Sequence, residues 1–224
     1  MDADSCDLFY LCKNTAIYSS IRPGAIMSQL NFFSDQQSKN ISTDFFDYRP
    51  GLFTKAESQL FKEYFIHTVP WEQQKVMMYG KEVITPRLTA WFGDRDRGHE
   101  RTSNPNPWTK ELLHIKARVE KLAEAQFNYV LLNYYRDGND SVAWHDDMDR
   151  TPGKNKIVSS VSFGQERYFD IRNKKDHSDK FSILLEDGSY ILMKEKFQEN
   201  WHHRIAKSTM PMKARINLTF RVTQ

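Results

Sequence analysis

The chain has 224 residues, 39% hydrophobic and 27% charged, with a formal net charge of +3. That is enough to bury one sizeable core as a single globular domain, and too mildly basic to argue a nucleic-acid partner from charge alone. No apolar run approaches the roughly 20 residues that cross a bilayer, the acidic start MDADSCD lacks a signal peptide's basic region, and the only cysteines, Cys6 and Cys12, suit a reducing compartment. A soluble intracellular protein is expected, in the cytoplasm or, in a eukaryote, the nucleus, monomeric and not membrane-bound.

Residues 1–47 carry no sustained helical or strand period and read as an extension, partly disordered or draped over a domain at 48–224, with Met27 an alternative start. TKAESQLFKEYF then opens on a capping box, Thr54 with Glu57, and places Leu60, Phe61, Tyr64 and Phe65 at helical spacing. VMMYGKEVITPRLTAWFG reads as short strands broken at Gly80. A second helix is expected from Pro107, a favoured first-turn proline after Asn106, through Leu112, Leu113, Val119 and Leu122. Beyond Gln126 the pattern turns to strands: YVLLNYY, IVSSVSFG, RYFDIR, FSILL, SYILM and RINLTFRVT, separated by polar turns. Many short strands after two helices predict an α+β fold, a β-sandwich or jelly roll braced by helices.

In AWHDDMDR, His145 and Asp147 are two apart and share a face if the segment is extended, the geometry for two ligands on one metal. A lone His-x-Asp also occurs at turns and in surface ion pairs. NWHHRIAK offers a third ligand, but neighbours on a strand point to opposite faces, so alternation allows either His202 or His203 and not both. Two imidazoles and a carboxylate make the facial triad of non-haem Fe(II) oxygenases, although zinc accepts the same donors. In the last strand Arg215, Asn217, Thr219 and Arg221 alternate with Ile216, Leu218, Phe220 and Val222. That polar face either meets water or offers two planar forks suited to carboxylates. The arginine Cα atoms would lie about 20 Å apart, so their side chains must lean inward to share one small diacid.

From about Tyr48 to Val222, PGLFTKAESQLF, PRLTAWFG, NYYRDG, SVAWHDDMD, SVSFG, WHHR and RINLTFR follow in an order and spacing that resemble the AlkB-type Fe(II)- and 2-oxoglutarate-dependent dioxygenases. The resemblance implies a double-stranded β-helix core. It implies His145, Asp147 and His203 as iron ligands, His203 being the histidine directly before Arg204, and leaves His202 a neighbour. Asn133, Tyr135, Arg215, Asn217, Thr219 and Arg221 become the wall that binds 2-oxoglutarate. Arg215 takes the far carboxylate, and Arg221 lies near the metal end. The implied activity is oxidative demethylation of N-alkylated bases, of the 1-methyladenine and 3-methylcytosine type, releasing succinate, CO2 and formaldehyde. Its partner would be alkylated DNA, single- or double-stranded, with RNA open as a second polymer.

A base stacked inside a duplex cannot reach a buried metal, so it must be flipped out or met on a single strand. Asp149 matches a family position that contacts the flipped base. Where relatives place a stacking aromatic this chain has RDRGHERTSNPNPW, so Arg97 and His99 are expected on phosphates, and Trp91 or Phe92 as the stacking platform. Two other readings stay open: a dioxygenase of this class acting on a protein or small molecule, and a catalytically silent nucleic-acid-binding homologue.

Overall fold

A computed structural model describes residues 40–78, 80–94, 105–147 and 157–222. Two antiparallel sheets face each other and three helices accompany them. The larger sheet has seven strands: β1 (Ile41–Ser42), β2 (Phe46–Arg49), β5 (Leu88–Gly93), β6 (Tyr129–Tyr135), β8 (Val158–Gly164), β11 (Tyr190–Met193) and β13 (Arg215–Arg221). The smaller has four: β7 (Val142–His145), β9 (Arg167–Asn173), β10 (Lys180–Leu185) and β12 (Trp201–Ile205). Strand order runs β1-β2-β11-β8-β13-β6-β5 in the first and β10-β9-β12-β7 in the second. From β6 to β13 successive strands alternate between the two sheets, β9 and β10 excepted, which is the crossing pattern of a double-stranded β-helix, and the jelly-roll expectation holds.

Both faces of the large sheet are covered, which explains its strands. Toward the helices, Ile216, Leu218 and Phe220 of β13 join Val130, Leu132, Val161 and Phe163 in one buried cluster. That cluster is closed by α1 (Lys55–Thr68) and α2 (Lys110–Ala123), which supply Phe65, Leu112, Ile115 and Val119. Toward the small sheet, Phe46, Tyr48, Ile191 and Met193 meet Phe169, Ile171, Ile183 and Trp201 in a second cluster. The polar face of β13 therefore looks between the sheets, not into water.

Helix α1 begins where its capping box predicts: Thr54 accepts from the Glu57 N–H, and the Glu57 carboxylate accepts from the Thr54 N–H at 2.7 Å. Helix α2 does not begin at Pro107. Asn106 is tied to the edge of β5, its N–H bonding the Trp91 carbonyl at 2.9 Å and its carbonyl accepting from Gly93 at 3.0 Å. The chain is therefore still extended there, and Thr109 caps the helix, its hydroxyl accepting from the Leu112 N–H at 3.2 Å.

Two further segments differ from the sequence reading. Residues 41–47, read as the end of the extension, enter the large sheet, β2 lying antiparallel to β11 with Phe46 buried. The six-residue helix α3 (Glu195–Asn200) was not expected at all. The short strands expected on either side of Gly80 are β3 (Lys75–Met78) and β4 (Lys81–Ile84), which pair as a hairpin, and Gly80 has a φ of +74°. No described helix is long and apolar enough to cross a membrane.

Candidate metal centre and its adjoining pocket

The antiparallel pair β7 and β12 places His145 directly opposite His203. Their rings lie 4.2 Å apart between centroids. Asp147, two residues past the end of β7, turns its carboxylate between them: Oδ1 is 3.6 Å from His145 Nε2 and Oδ2 is 3.5 Å from His203 Nε2. One ligand atom from each residue lies within 4.8 Å of the others, and this trio is the candidate metal cluster among the described residues.

The surroundings prepare each donor. His145 Nδ1 lies 2.8 Å from the Ala143 carbonyl, which accepts only if that nitrogen carries the proton, leaving Nε2 as a lone-pair donor. Burial, with His203 beside it, pulls the His145 pKa down to about 4, so the ring is neutral near pH 7. His203 is 4% exposed and is held between Phe169 at 4.9 Å and Phe197 at 5.8 Å. Burial alone would raise the Asp147 carboxyl, but Arg221 and the two histidines hold it well below the usual carboxylate range. Arg221 Nη2 donates to Asp147 Oδ1 at 2.6 Å. Two imidazole nitrogens and an ionised carboxylate oxygen, converging and mostly shielded, suit a divalent metal.

The neighbouring pair is sent the other way. Asp146 Oδ2 meets Lys174 Nζ at 2.6 Å and lies 3.7 Å from His202 Nε2, so His202 and Asp146 face each other outside the trio.

A cavity of about 270 Å³ opens from the trio and is lined by Asn133, Tyr135, Arg215, Asn217, Thr219 and Arg221. All six residues expected on the cosubstrate wall thus share one chamber with the three expected ligands. Cross-strand register explains it: on β13 and β6, Arg215 stands opposite Tyr135 and Asn217 opposite Asn133. Arg221 and Arg215 mark the near and far ends. Arg215 is 1% exposed, its guanidinium 4.9 Å from the Tyr135 ring. Its Nη2 donates to Ser162 Oγ at 2.9 Å, while Nε and Nη1 have no partner among the described residues. Burial pushes its pKa down to about 10, with the nearby Arg167 adding to the effect. A buried cation with two idle N–H groups aimed into a polar chamber fits a carboxylate.

Asn217 and Thr219 do a different job from Arg215. The Asn217 amide donates to Ser160 Oγ at 2.7 Å and the Val161 carbonyl at 2.9 Å, and its oxygen accepts from Thr219 Oγ1 at 3.2 Å. They stiffen the wall. Trp91 lines the cavity, whereas Phe92 is buried in the helix-side core, which removes it as a stacking platform. Arg97, His99 and Asp149 lie outside the described residues.

Sequence reasoning did not single out Arg87, which lines the cavity and donates from Nε to Asn133 Oδ1 at 2.7 Å. Its place in PRLTAWFG was the available signal. It also missed Gln198, whose Oε1 accepts from the Asp147 N–H at 3.0 Å.

Residues 46–221 match the 2OG-Fe(II) oxygenase superfamily. Alpha-ketoglutarate-dependent dioxygenase alkB homolog 3 of Mus musculus is 34% identical over 182 residues, covering 77% of this chain and 64% of that protein. This chain thus spans a little under two thirds of that relative's length. DNA oxidative demethylase ALKBH2 of Mus musculus is 31% identical over 187 residues, covering 76% of this chain and 77% of that protein. The solved structure of OsALKBH1 shares the fold with a TM-score of 0.59 at 14% identity, over 83% of this chain and 100% of that one.

Proposed function

This chain belongs to the 2OG-Fe(II) oxygenase superfamily, among its AlkB-type members, and on that premise we propose that it oxidatively demethylates N-alkylated bases in DNA, of the 1-methyladenine and 3-methylcytosine type. RNA is the second polymer to test. The observation that carries the reading is the single chamber joining the His145, Asp147 and His203 trio to a buried, two-thirds-unpartnered guanidinium. The substrate class rests on the relatives, one of which is named a DNA oxidative demethylase.

The residues take the following parts. His145, Asp147 and His203 hold Fe(II), and Arg215 takes the far carboxylate of 2-oxoglutarate with its idle Nε and Nη1. Tyr135 and Asn133 complete that end, and the Asn217 and Thr219 bonds keep the wall rigid, so that the cosubstrate is oriented on binding at little entropic expense. Arg221 holds Asp147 in its ligating direction. When bound, Fe(II) with 2-oxoglutarate and O2 supplies the oxidation of the N-methyl carbon, the cosubstrate leaving as succinate and CO2. The hydroxymethyl group on the base nitrogen then collapses to formaldehyde and the unmodified base. Trp91, in the chamber lining, faces the incoming base, and Asp149, Arg97 and His99 are assigned to base and phosphate contacts.

The test is a panel of 1-methyladenine and 3-methylcytosine oligonucleotides, single- and double-stranded, DNA and RNA, read by mass spectrometry with full-length protein loaded with Fe(II). Loss of one methyl mass with stoichiometric formaldehyde is expected on at least one substrate. Turnover of 2-oxoglutarate without demethylation anywhere in the panel would shift the reading to a protein or small-molecule substrate.

A further inference from the structure

Asp147 is the least anchored of the three donors. The last paired position on β7 is His145, opposite His203, so Asp147 lies two residues past the end of the ladder with no strand to hold its backbone. Arg221 fixes its carboxylate, but a carboxylate swings with the backbone that carries it. What holds that backbone is a side chain from α3. Gln198 is 0% exposed, and its Oε1 accepts from the Asp147 N–H at 3.0 Å. The amide assignment is forced, since a backbone N–H needs an oxygen opposite it.

Gln198 is braced in turn. Lys174 Nζ donates to the Gln198 carbonyl at 2.7 Å and pairs with Asp146 Oδ2 at 2.6 Å, while the Lys174 N–H bonds the Asn200 carbonyl at 2.8 Å. One lysine therefore ties α3 to the residue before the ligand, and α3 ties itself to the ligand. The adjacent Phe197 packs on the His203 ring at 5.8 Å. This short helix thus touches two of the three donors. The other half of the Gln198 amide, Nε2, is buried with no partner among the described residues. A merely space-filling position would be better served by an apolar side chain of the same size, because an idle buried donor destabilises.

We infer that Gln198 is a positioning residue for the metal centre: it extends the β7 ladder by one side-chain bond and so sets where the Asp147 carboxylate stands, with Lys174 clamping it from outside. The inference rests on His145, Asp147 and His203 being the metal ligands. Groups one shell out from a metal ligand typically change affinity roughly 10–100-fold when removed.

The experiment measures Mn(II) binding by the EPR signal of the free ion, and thermal melting of the metal-free protein by circular dichroism, on the full chain. Wild type, Gln198→Met and His203→Ala are compared. Wild type is expected to bind one Mn(II) and His203→Ala to lose it. Gln198→Met should bind about 10–100-fold more weakly while its metal-free melting temperature stays close to that of wild type, since the idle Nε2 donor goes as the Asp147 N–H loses its acceptor. A residue with a purely structural role would give the reverse, a lower melting temperature with unchanged affinity, and that result overturns the inference. If wild type and His203→Ala bind Mn(II) alike, the ligand assignment itself fails. Should Gln198→Met not fold, Lys174→Met tests the clamp from the surface: a several-fold loss of Mn(II) affinity supports the inference, and unchanged affinity refutes it.

Discussion

Arg215→Met separates function from stability at one position, because the two should move in opposite directions. The Arg215 guanidinium is 1% exposed, with a hydrogen bond to Ser162 and two idle nitrogens. Each idle buried N–H is unfavourable by about 1–3 kcal/mol, and the Ser162 bond is worth about 1 kcal/mol. A methionine of similar length removes all three terms, so the ligand-free variant should be about 1–5 kcal/mol more stable. At roughly 2–4 °C per kcal/mol for a domain of this size, the melting temperature should rise by several degrees. Binding of 2-oxoglutarate should suffer in the other direction. Removing one partner of a buried charge pair is unfavourable by about 3–5 kcal/mol, roughly a hundred- to a few-thousand-fold at about 1.4 kcal/mol per tenfold. The assay is differential scanning fluorimetry with and without 2-oxoglutarate, together with the 2-oxoglutarate dependence of turnover. A variant that melts lower than wild type, yet keeps the wild-type ligand-induced shift and KM, would refute the reasoning.

His203→Ala and Asp147→Ala should abolish turnover and metal binding, whereas His202→Ala should keep most of both, since His202 faces Asp146 outside the trio; comparable losses in all three would contradict the assignment. The metal-free protein should lose stability as the pH falls from about 6.5 toward 4: the unfolded chain protonates His145 near 6.5, the folded chain only near about 4, so the unfolded state binds more protons in that window. Urea midpoints across that range should fall less steeply for His145→Gln, and an unchanged slope would place the effect elsewhere. Gly188→Ala should destabilise by about 2–4 kcal/mol, because Gly188 sits at φ +77° and a Cβ there would collide with the Phe53 carbonyl oxygen; a melting temperature within a degree of wild type would contradict that packing.

Legibility in the sequence followed the reach of each local signal. Thr54 and Glu57 announced α1 because a capping box is complete within four residues and needs no tertiary partner. The strict alternation of β13 was legible for the same reason, but not what its polar face meets: that depends on the small sheet lying opposite, which no local pattern encodes. Asn106 and Pro107 carried a valid helix-start signal that lost to a bridge with β5, a contact thirteen to fifteen residues away in the chain. Helix α3, one and a half turns long, falls below the length at which a 3.6-residue period can be recognised. Gln198 was invisible along with it. The choice of His203 over His202 came from resemblance, and the geometry that makes it reasonable is a cross-strand partner, His145, fifty-eight positions earlier.

The charges of the chamber also order its ligands. Both acidic residues in its lining are paired, Asp147 with Arg221 at 2.6 Å and Asp146 with Lys174 at 2.6 Å, and its histidine nearest the solvent, His145, is neutral near pH 7. The Asp147 carboxylate is therefore only partly compensated until a divalent cation arrives. At the far end Arg215 is a buried cation without a counterion among the described residues. A dianion entering before the metal would satisfy Arg215 but leave its other carboxylate beside Asp147, whose own charge is compensated on one side only. With the metal in place the same carboxylate faces a cation. The coupling between metal and dianion is therefore favourable, and by linkage each should tighten the other's binding by the same factor.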